Sequence, residues 1–315
     1  MKALVTGAAG FIGSHLVESL LADGHHVVGI DAMTDYYDTE LKSRNLDQFT
    51  GSGNVEVVLD DLCSADLDVL LTGVDHVYHL AGQPGVRASW RDGFGEYLDR
   101  NVLATQRLLE AVGRSDIDRM VYASSSSVYG NALTFPTPET ALPAPYSPYG
   151  VTKLAAEHLC GLYAGNFDVH VTSVRYFTVY GPRQRPDMAI HRMIKSALSG
   201  QSFPLFGDGQ QRRDFTYVAD AASATRRAAT ADVPPGSVFN VGGGSDCTVL
   251  ELIEMVEAAT QCRLAIDRRA PEPGDARRTG ADVSRARNLL GWTPSMSLAD
   301  GIAAQVAAFR DHSRA

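Results

Sequence analysis

Short apolar runs alternate with amphipathic stretches along the first half of the chain. Residues 2–6, with Ala3-Leu4-Val5, predict a strand, and 11–23 predict a helix ending near Gly24. His26 to Ile30 predicts a second strand. A long polar loop follows, and then a third strand, Val55 to Leu59. The segment VDHVYHLAG (74–82) predicts a fourth strand, 97–113 a helix, and RMVYASSS (119–126) a fifth strand. A helix at about 149–165 precedes DVHVTSVRYF (168–177), a sixth. Strands separated by helices imply βαβ units with right-handed crossovers, and a parallel sheet covered on both faces. The expected class is α/β, a doubly wound parallel sheet. After about residue 178 the pattern breaks up at Pro182, Pro186, Pro204, Pro234, Pro235, Pro271, Pro273 and Pro294, with helices expected at 188–199 and 248–260. One domain is therefore expected over 1–177 and a smaller mixed α/β lobe over 178–315. Segments around 214–242 are candidates to return to the first domain.

Composition narrows the partners. The net charge of −9 argues against nucleic acid and against an anionic membrane surface, both of which favour a basic face. A small anionic substrate stays open, because a few arginines in one pocket can outweigh the global sign. Cys63, Cys160, Cys247 and Cys262 are scattered, with no CxxC pair and no His/Cys cluster at metal spacing. They read as reduced thiols of a cytoplasmic protein, with no metal site expected. No apolar run approaches the roughly 18 residues of a membrane span. A strand beginning at residue 2 leaves no room for a signal peptide.

The chemistry begins at TGAAGFIGSH (6–15), where Gly7, Gly10 and Gly13 crowd the exit of the first strand. A strand, GxxGxxG and then a helix opening at Phe11-Ile12 is the context a dinucleotide needs. Gly7 permits a tight turn, Gly10 lets backbone approach a pyrophosphate, and Gly13 lets the helix pack closely. The helix N-terminus then turns its free N–H groups toward the phosphates. A tight turn with no ligand is the competing reading. Asp31, 18 residues after Gly13, decides against it. A carboxylate there accepts from both adenosine ribose hydroxyls and repels a 2′-phosphate, favouring NAD over NADP.

YSPYGVTK holds Tyr149 and Lys153 four residues apart, on one face of a helix. An ammonium near a phenol favours phenolate, which predicts a Tyr149 pKa lowered toward neutrality and a role as general acid–base. Serines 124–127 end the fifth strand, at the edge where parallel sheets bind ligands.

The GxxGxxG spacing together with YxxxK resembles the short-chain dehydrogenase/reductase superfamily, with its Rossmann-type sheet. The strings RYFTVYGPRQRPDMA (175–189), LFGDGQQRRDFTYVAD (205–220) and PGDARRTGADVSRARNLLGW (273–292) extend the likeness to the NAD-dependent nucleotide-sugar epimerases and dehydratases. By this resemblance Leu80, Ala81 and Gly82 line the adenosine ribose, and Asp61-Leu62 the adenine. Asn101 matches an asparagine of the mid-sheet helix. Ser125 becomes the catalytic serine, with Ser124 nearer the nicotinamide and Tyr176 in its pocket. Phe206 would meet the nucleotide base, and Arg192 and Arg213 the diphosphate or its nucleoside.

The family's dehydratases carry Thr-Asp-Glu where this chain has Ser125-Ser126-Ser127, and its uronate decarboxylases carry Glu at Ser127. Both activities are demoted, and C4 epimerisation of a UDP-sugar remains. DAMTDYYDTELKSRNL (31–46) and FTVYGP look most like UDP-glucuronate 4-epimerases; UDP-glucose enzymes usually carry Asn where Thr178 stands. Thr178, Arg185, Ser126 and Ser127 would bind a C6 carboxylate. Arg185 has a second reading as a loop arginine. UDP-glucose 4-epimerase is the alternative activity. A non-catalytic NAD-sensing regulator is the rival from another class, although such proteins often lose the Tyr or Lys that this chain retains. The helices near 97–113 and 149–165 resemble the pair that family dimers join into a four-helix bundle, so a homodimer is expected.

Overall fold

Burial makes strands of the apolar runs, on both faces in the middle of the sheet and only in part at Val55–Leu59. The computed structural model describes residues 1–244, 246–271, 274 and 276–312. Pro273 and Asp275, part of one family-like string, lie outside the described residues. Six strands follow the predicted order: β1 (Lys2–Thr6), β2 (His26–Asp31), β3 (Val55–Leu59), β4 (His76–His79), β5 (Arg119–Ser125) and β6 (Val171–Tyr176). Four short strands come next: β7 (Val179–Tyr180), β8 (Phe203–Phe206), β9 (Arg212–Asp214) and β10 (Thr216–Tyr217). β11 (Val238–Val241) then completes a seven-stranded sheet in the order β11-β6-β5-β4-β1-β2-β3. Every neighbouring pair in it is parallel. The order reverses between β1 and β4. Their C-terminal ends therefore part and leave the crevice in which such sheets take ligands.

Helices α1 (Phe11–Ala22), α2 (Thr39–Asp47) and α3 (Leu67–Leu70) belong to the first half of the sheet. α4 (Phe94–Tyr97), a π-helical turn at Leu98–Leu103, and α5 (Ala104–Val112) occupy the stretch read as one helix over 97–113. The wide turn brings Asn101 inward, where its Nδ2 donates to the Gln83 carbonyl (3.1 Å) and to Thr152 Oγ1 (3.0 Å). α2 lies in the stretch read as polar loop. It has no apolar stripe to reveal it; Asp38 caps the Glu40 amide and Arg44 pairs with Glu40 one turn on. α6 (Pro148–Phe167) runs two residues past its expected end and stops at Asp168, whose φ of 53° closes the helix and delays β6 to Val171.

Beyond residue 178 the chain holds more helix than the two segments expected. α7 (Ala189–Ser199) and α9 (Val249–Thr260) are those two, with α8 (Val218–Thr230), α10 (Ser284–Leu290) and α11 (Leu298–His312) in addition. α8 reaches α1, where Arg226 Nη1 donates to Ser19 Oγ at 2.6 Å, and it leads the chain to β11. The smaller lobe is built on pairs of strands. β7 runs parallel to β10, β8 to β13 (Ile266–Arg269), and β9 is antiparallel to β12 (Asp246–Thr248). Its core gathers Ile190, Met193, Phe203, Leu252, Val256 and Ile302. Among the described residues no helix is long and apolar enough to cross a membrane.

Candidate active site

The glycine turn is a steric requirement. Gly7 has φ +71°, and a Cβ on it would lie 2.9 Å from the Ala81 amide nitrogen. A Cβ on Gly13 would fall 2.0 Å from the Gly7 carbonyl oxygen, inside any possible contact. α1 therefore starts tight against the turn, and Gly10 caps it with no side chain in front of the free amides. Asp31 ends β2 with Oδ2 accepting from the Ala9 amide (3.0 Å) and Oδ1 from the Met33 amide (2.9 Å). It braces the turn as a strand-end cap while its carboxylate faces the cleft, and Lys42 Nζ stands 4.0 Å from it.

A buried polar chain sets the opposite wall. Thr105 donates to the Asn101 carbonyl (2.7 Å), so the 2.9 Å contact between His79 Nε2 and Thr105 Oγ1 has the imidazole as donor. His79 Nδ1 then accepts from Thr6 Oγ1 at 2.8 Å. Thr6 in turn accepts from the amides of Leu80 (3.1 Å) and Ala81 (3.0 Å), fixing that loop beside the glycines. Burial pulls the His79 pKa down to about 3, which keeps the ring neutral in this role. The sequence motif HLAG drew attention to the loop and missed the histidine that holds it.

One cleft runs from the glycine turn to α6. Gly7, Gly10, Phe11, Ile12, Gly13, Asp31, Asp61, Leu62, Leu80, Ala81, Gly82, Asn101, Ser124, Tyr149, Lys153 and Tyr176 all line it. Tyr36, Tyr37, Lys42, Gln83 and Arg100 line it too and were not singled out from sequence. Arg100 Nη1 donates to Asp61 Oδ2 at 3.0 Å and holds that carboxyl below the usual range against burial, together with the Cys63 amide.

α6 delivers the candidate chemistry. Ser147 Oγ accepts from the Gly150 amide (3.1 Å) and Pro148 opens the first turn, so the motif carries its own helix start. Tyr149 and Lys153 follow on one face, with the Tyr97 ring edge-on to Tyr149 at 6.2 Å. The expected lowering of the phenol by Lys153 is not found. Burial pushes Tyr149 up, and the contacts that oppose this are a hydrogen bond with Ser125 and the charge of Arg185. Lys153 itself is drawn down to about 8 by burial, and its ammonium lies 4.6 Å from the Tyr122 ring centroid.

Of the residues assigned to substrate, Tyr149 and Arg185 line the same cleft; Ser125, Ser126, Ser127, Thr178, Arg192, Phe206 and Arg213 lie outside its lining. Ser125 Oγ accepts from the Ser127 amide (3.1 Å), in the short turn that continues through Ser126. Thr178 is half-buried just past β6, its carbonyl accepting from the Thr216 amide at 3.0 Å. Arg185 is clamped side-on by Asp187, Nε to Oδ1 and Nη2 to Oδ2, both at 3.0 Å. Phe206 carries the Arg87 guanidinium 4.2 Å from its ring centroid, and Arg192 lies 5.7 Å from that of Phe203. Burial, then Arg87 and Arg269, pull the Arg192 pKa down, and Arg269 is itself paired with Asp267 at 2.8 Å. Arg213 Nη1 donates to the Arg212 carbonyl at 2.8 Å, a bond to its own strand.

Residues 3–242 match the model of the NAD dependent epimerase/dehydratase family. The chain is 44% identical to the uncharacterized UDP-glucose epimerase YtcB of Bacillus subtilis, over 98% of this chain and 97% of that protein. It is 36% identical to the UDP-glucuronate 4-epimerase of Thermodesulfobacterium geofontis, over 95% of this chain and 93% of that one. Among solved structures it is similar to the UDP-glucuronic acid 4-epimerase of Bacillus cereus in complex with UDP-glucuronic acid and NAD. That likeness has a TM-score of 0.95 at 43% identity and covers 99% of this chain and 100% of the other.

Proposed function

This chain belongs to the NAD dependent epimerase/dehydratase family, and within it we propose an NAD-dependent 4-epimerase acting on UDP-glucuronate to give UDP-galacturonate. One observation carries the reading: Tyr149, Lys153 and Arg185 meet in the cleft that begins at the glycine turn. The residues fit the cofactor. A Cβ at Gly7 or Gly13 would strike backbone of the turn or of the Leu80–Ala81 loop, so only glycine keeps this turn tight beside the cleft that Asp31 also lines. Gly7, Gly10, Phe11, Ile12 and Gly13 would hold the pyrophosphate, with Asp31, Leu80, Ala81 and Gly82 at the adenosine ribose. Asp61 and Leu62 would take the adenine, and Ser124, Lys153 and Tyr176 the nicotinamide end.

Tyr149 takes the proton of the C4 hydroxyl, with the Ser125 side chain hydrogen-bonded to the phenol. NAD held there would supply what the side chains lack, an acceptor and later donor for the C4 hydride. The 4-keto sugar turns about its bond to the diphosphate and presents its other face, and Tyr149 then gives the proton back. Arg87, Arg192 and Phe206 hold the nucleotide during the turn. Arg185, with Thr178 and the serines at 125–127, grips the C6 carboxylate. UDP-glucose 4-epimerisation is the second reading, favoured by the Arg185–Asp187 clamp, which already gives the guanidinium an anionic partner. Product chromatography with the two sugars side by side separates them. The proposal expects UDP-galacturonate to form readily and UDP-glucose to be a poor substrate, and the reverse preference defeats it.

We also propose a two-fold homodimer formed through the π-turn and α6. Leu98 and Leu103 are exposed on the first, and Val151 and Leu162, three turns apart, on the second. Such apolar sides are expected to be covered. Light scattering at micromolar concentration should give about twice the 33.8 kDa of one chain; the single-chain mass removes the proposal. The four free thiols suit the reducing cytoplasm, the compartment this reading assigns.

A further inference from the structure

Glu157 stands one helical turn beyond Lys153, on the same face of α6, and the reaction outlined above makes no use of it. It is 6% exposed, and its partner Arg175, on β6, is 4% exposed. Arg175 Nη2 donates to Glu157 Oε1 at 2.5 Å and Nε to Oε2 at 3.0 Å. The same Oε2 accepts from Ser124 Oγ at 2.6 Å, and Ser124 lines the cleft. The far end of the guanidinium donates to Tyr129 Oη (2.6 Å), and that hydroxyl donates to Asn240 Oδ1 (2.8 Å) on β11. The carboxylate is thus tied at one oxygen to the cleft wall and, through Arg175, to two neighbouring strands. A buried ion pair is weak support for stability, because desolvation offsets most of its attraction. Its placement beside the catalytic lysine is the more informative fact.

We propose that Glu157, clamped by Arg175, is a positioning residue for the epimerisation. Its carboxylate fixes the Ser124 hydroxyl and supplies the negative charge that keeps Lys153 an ammonium. The proposal rests on the functional reading above. The groups around Lys153 support it. Cys160, on the same helix, has its thiol pushed far up by burial and stays uncharged at neutral pH. His79, on β4, is pulled down to about 3 and is neutral as well. Tyr122, on β5, offers a ring face at 4.6 Å, and Tyr149, one turn earlier, is a phenol raised by burial. Among these groups Glu157 is the carboxylate, paired with the Arg175 guanidinium. Arg175 shares that carboxylate and so limits how much of its charge reaches Lys153. Burial draws Lys153 down to about 8, near enough to neutrality for a neighbouring carboxylate to bear on its protonation.

The chain has four lysines, Lys2, Lys42, Lys153 and Lys195, so ¹³C-lysine NMR of the protein without sugar or cofactor resolves the Lys153 titration once Lys153→Met identifies its signal. The wild-type midpoint should lie at about 8. Glu157→Gln keeps the shape and an acceptor but removes the charge, and should lower the midpoint by about one pH unit or more. Arg175→Gln should raise it, and Glu157→Asp should return it toward the wild-type value. An unmoved midpoint in Glu157→Gln overturns the proposal. Should that variant not fold, a fall or no change in Arg175→Gln overturns it instead. In turnover the alkaline limb, where activity is lost as Lys153 gives up its proton, should move to lower pH in Glu157→Gln by the same interval. A stationary limb beside a moved NMR midpoint defeats the catalytic role. A wild type that turns over no UDP-sugar defeats the functional reading instead, while the NMR midpoints still decide the charge relation.

Discussion

Tyr149→Phe should lower kcat by roughly 10²–10⁴-fold while leaving bound NAD nearly unchanged, the range general acid–base catalysis supplies. The substitution removes one oxygen. The ring keeps its edge-on contact with Tyr97, and the helix keeps its Ser147 cap. What is lost is the hydroxyl proposed to exchange the C4 proton, which is hydrogen-bonded to Ser125 and lies in the field of Arg185. Turnover by product chromatography and NAD content by absorbance are the two readouts. Near-normal turnover would assign the proton to another group.

The glycine-turn half of the cleft was legible because its constraints are local. A residue whose Cβ would fall 2.0 Å from a carbonyl oxygen must be glycine, and a helix beginning Ser-Pro announces its own start. Asp31 was visible as a carboxylate at a strand end; its bonds to the Ala9 and Met33 amides were not, because they depend on how the turn folds back. The same holds for Asn101, whose π-turn answers to Gln83 and Thr152 and leaves no mark on the hydrophobic period. α2 escaped because local caps and an ion pair support it in place of an apolar stripe. The lowering of Tyr149 by Lys153 was inferred from spacing alone. Spacing gives no measure of desolvation, and here that effect is larger than the neighbouring charges. Glu157 was within reach of periodicity, since it continues the Tyr149–Lys153 face by another turn, but its partner Arg175 comes from strand β6.

Arg185→Ala should weaken use of UDP-glucuronate by about tenfold to a hundredfold or more, and any residual use of UDP-glucose far less. A charge-assisted bond to a carboxylate contributes roughly 1.5–3 kcal/mol, which sets that range. The geometry gives a reason for the preference. Asp187 takes the Nε and Nη2 side of the guanidinium and so fixes its plane, and the Arg185 side chain still lines the cleft beside Tyr149. Asp187 with Tyr36 and Tyr149 also holds the Arg185 pKa above its usual value against burial, so the charge persists at any working pH. A carboxylate grip by Arg185 would have a second consequence. A 4-keto uronate is a β-keto acid, and when the C5–C6 bond aligns with the carbonyl it loses carbon dioxide and leaves a UDP-pentose. If Arg185 holds the carboxylate out of that alignment, the alanine variant should release some UDP-pentose that the wild type does not. Chromatography of both proteins with each sugar reads all of these effects at once. Equal loss on the two sugars, with no pentose, would leave Arg185 a loop arginine and the chain a UDP-glucose 4-epimerase.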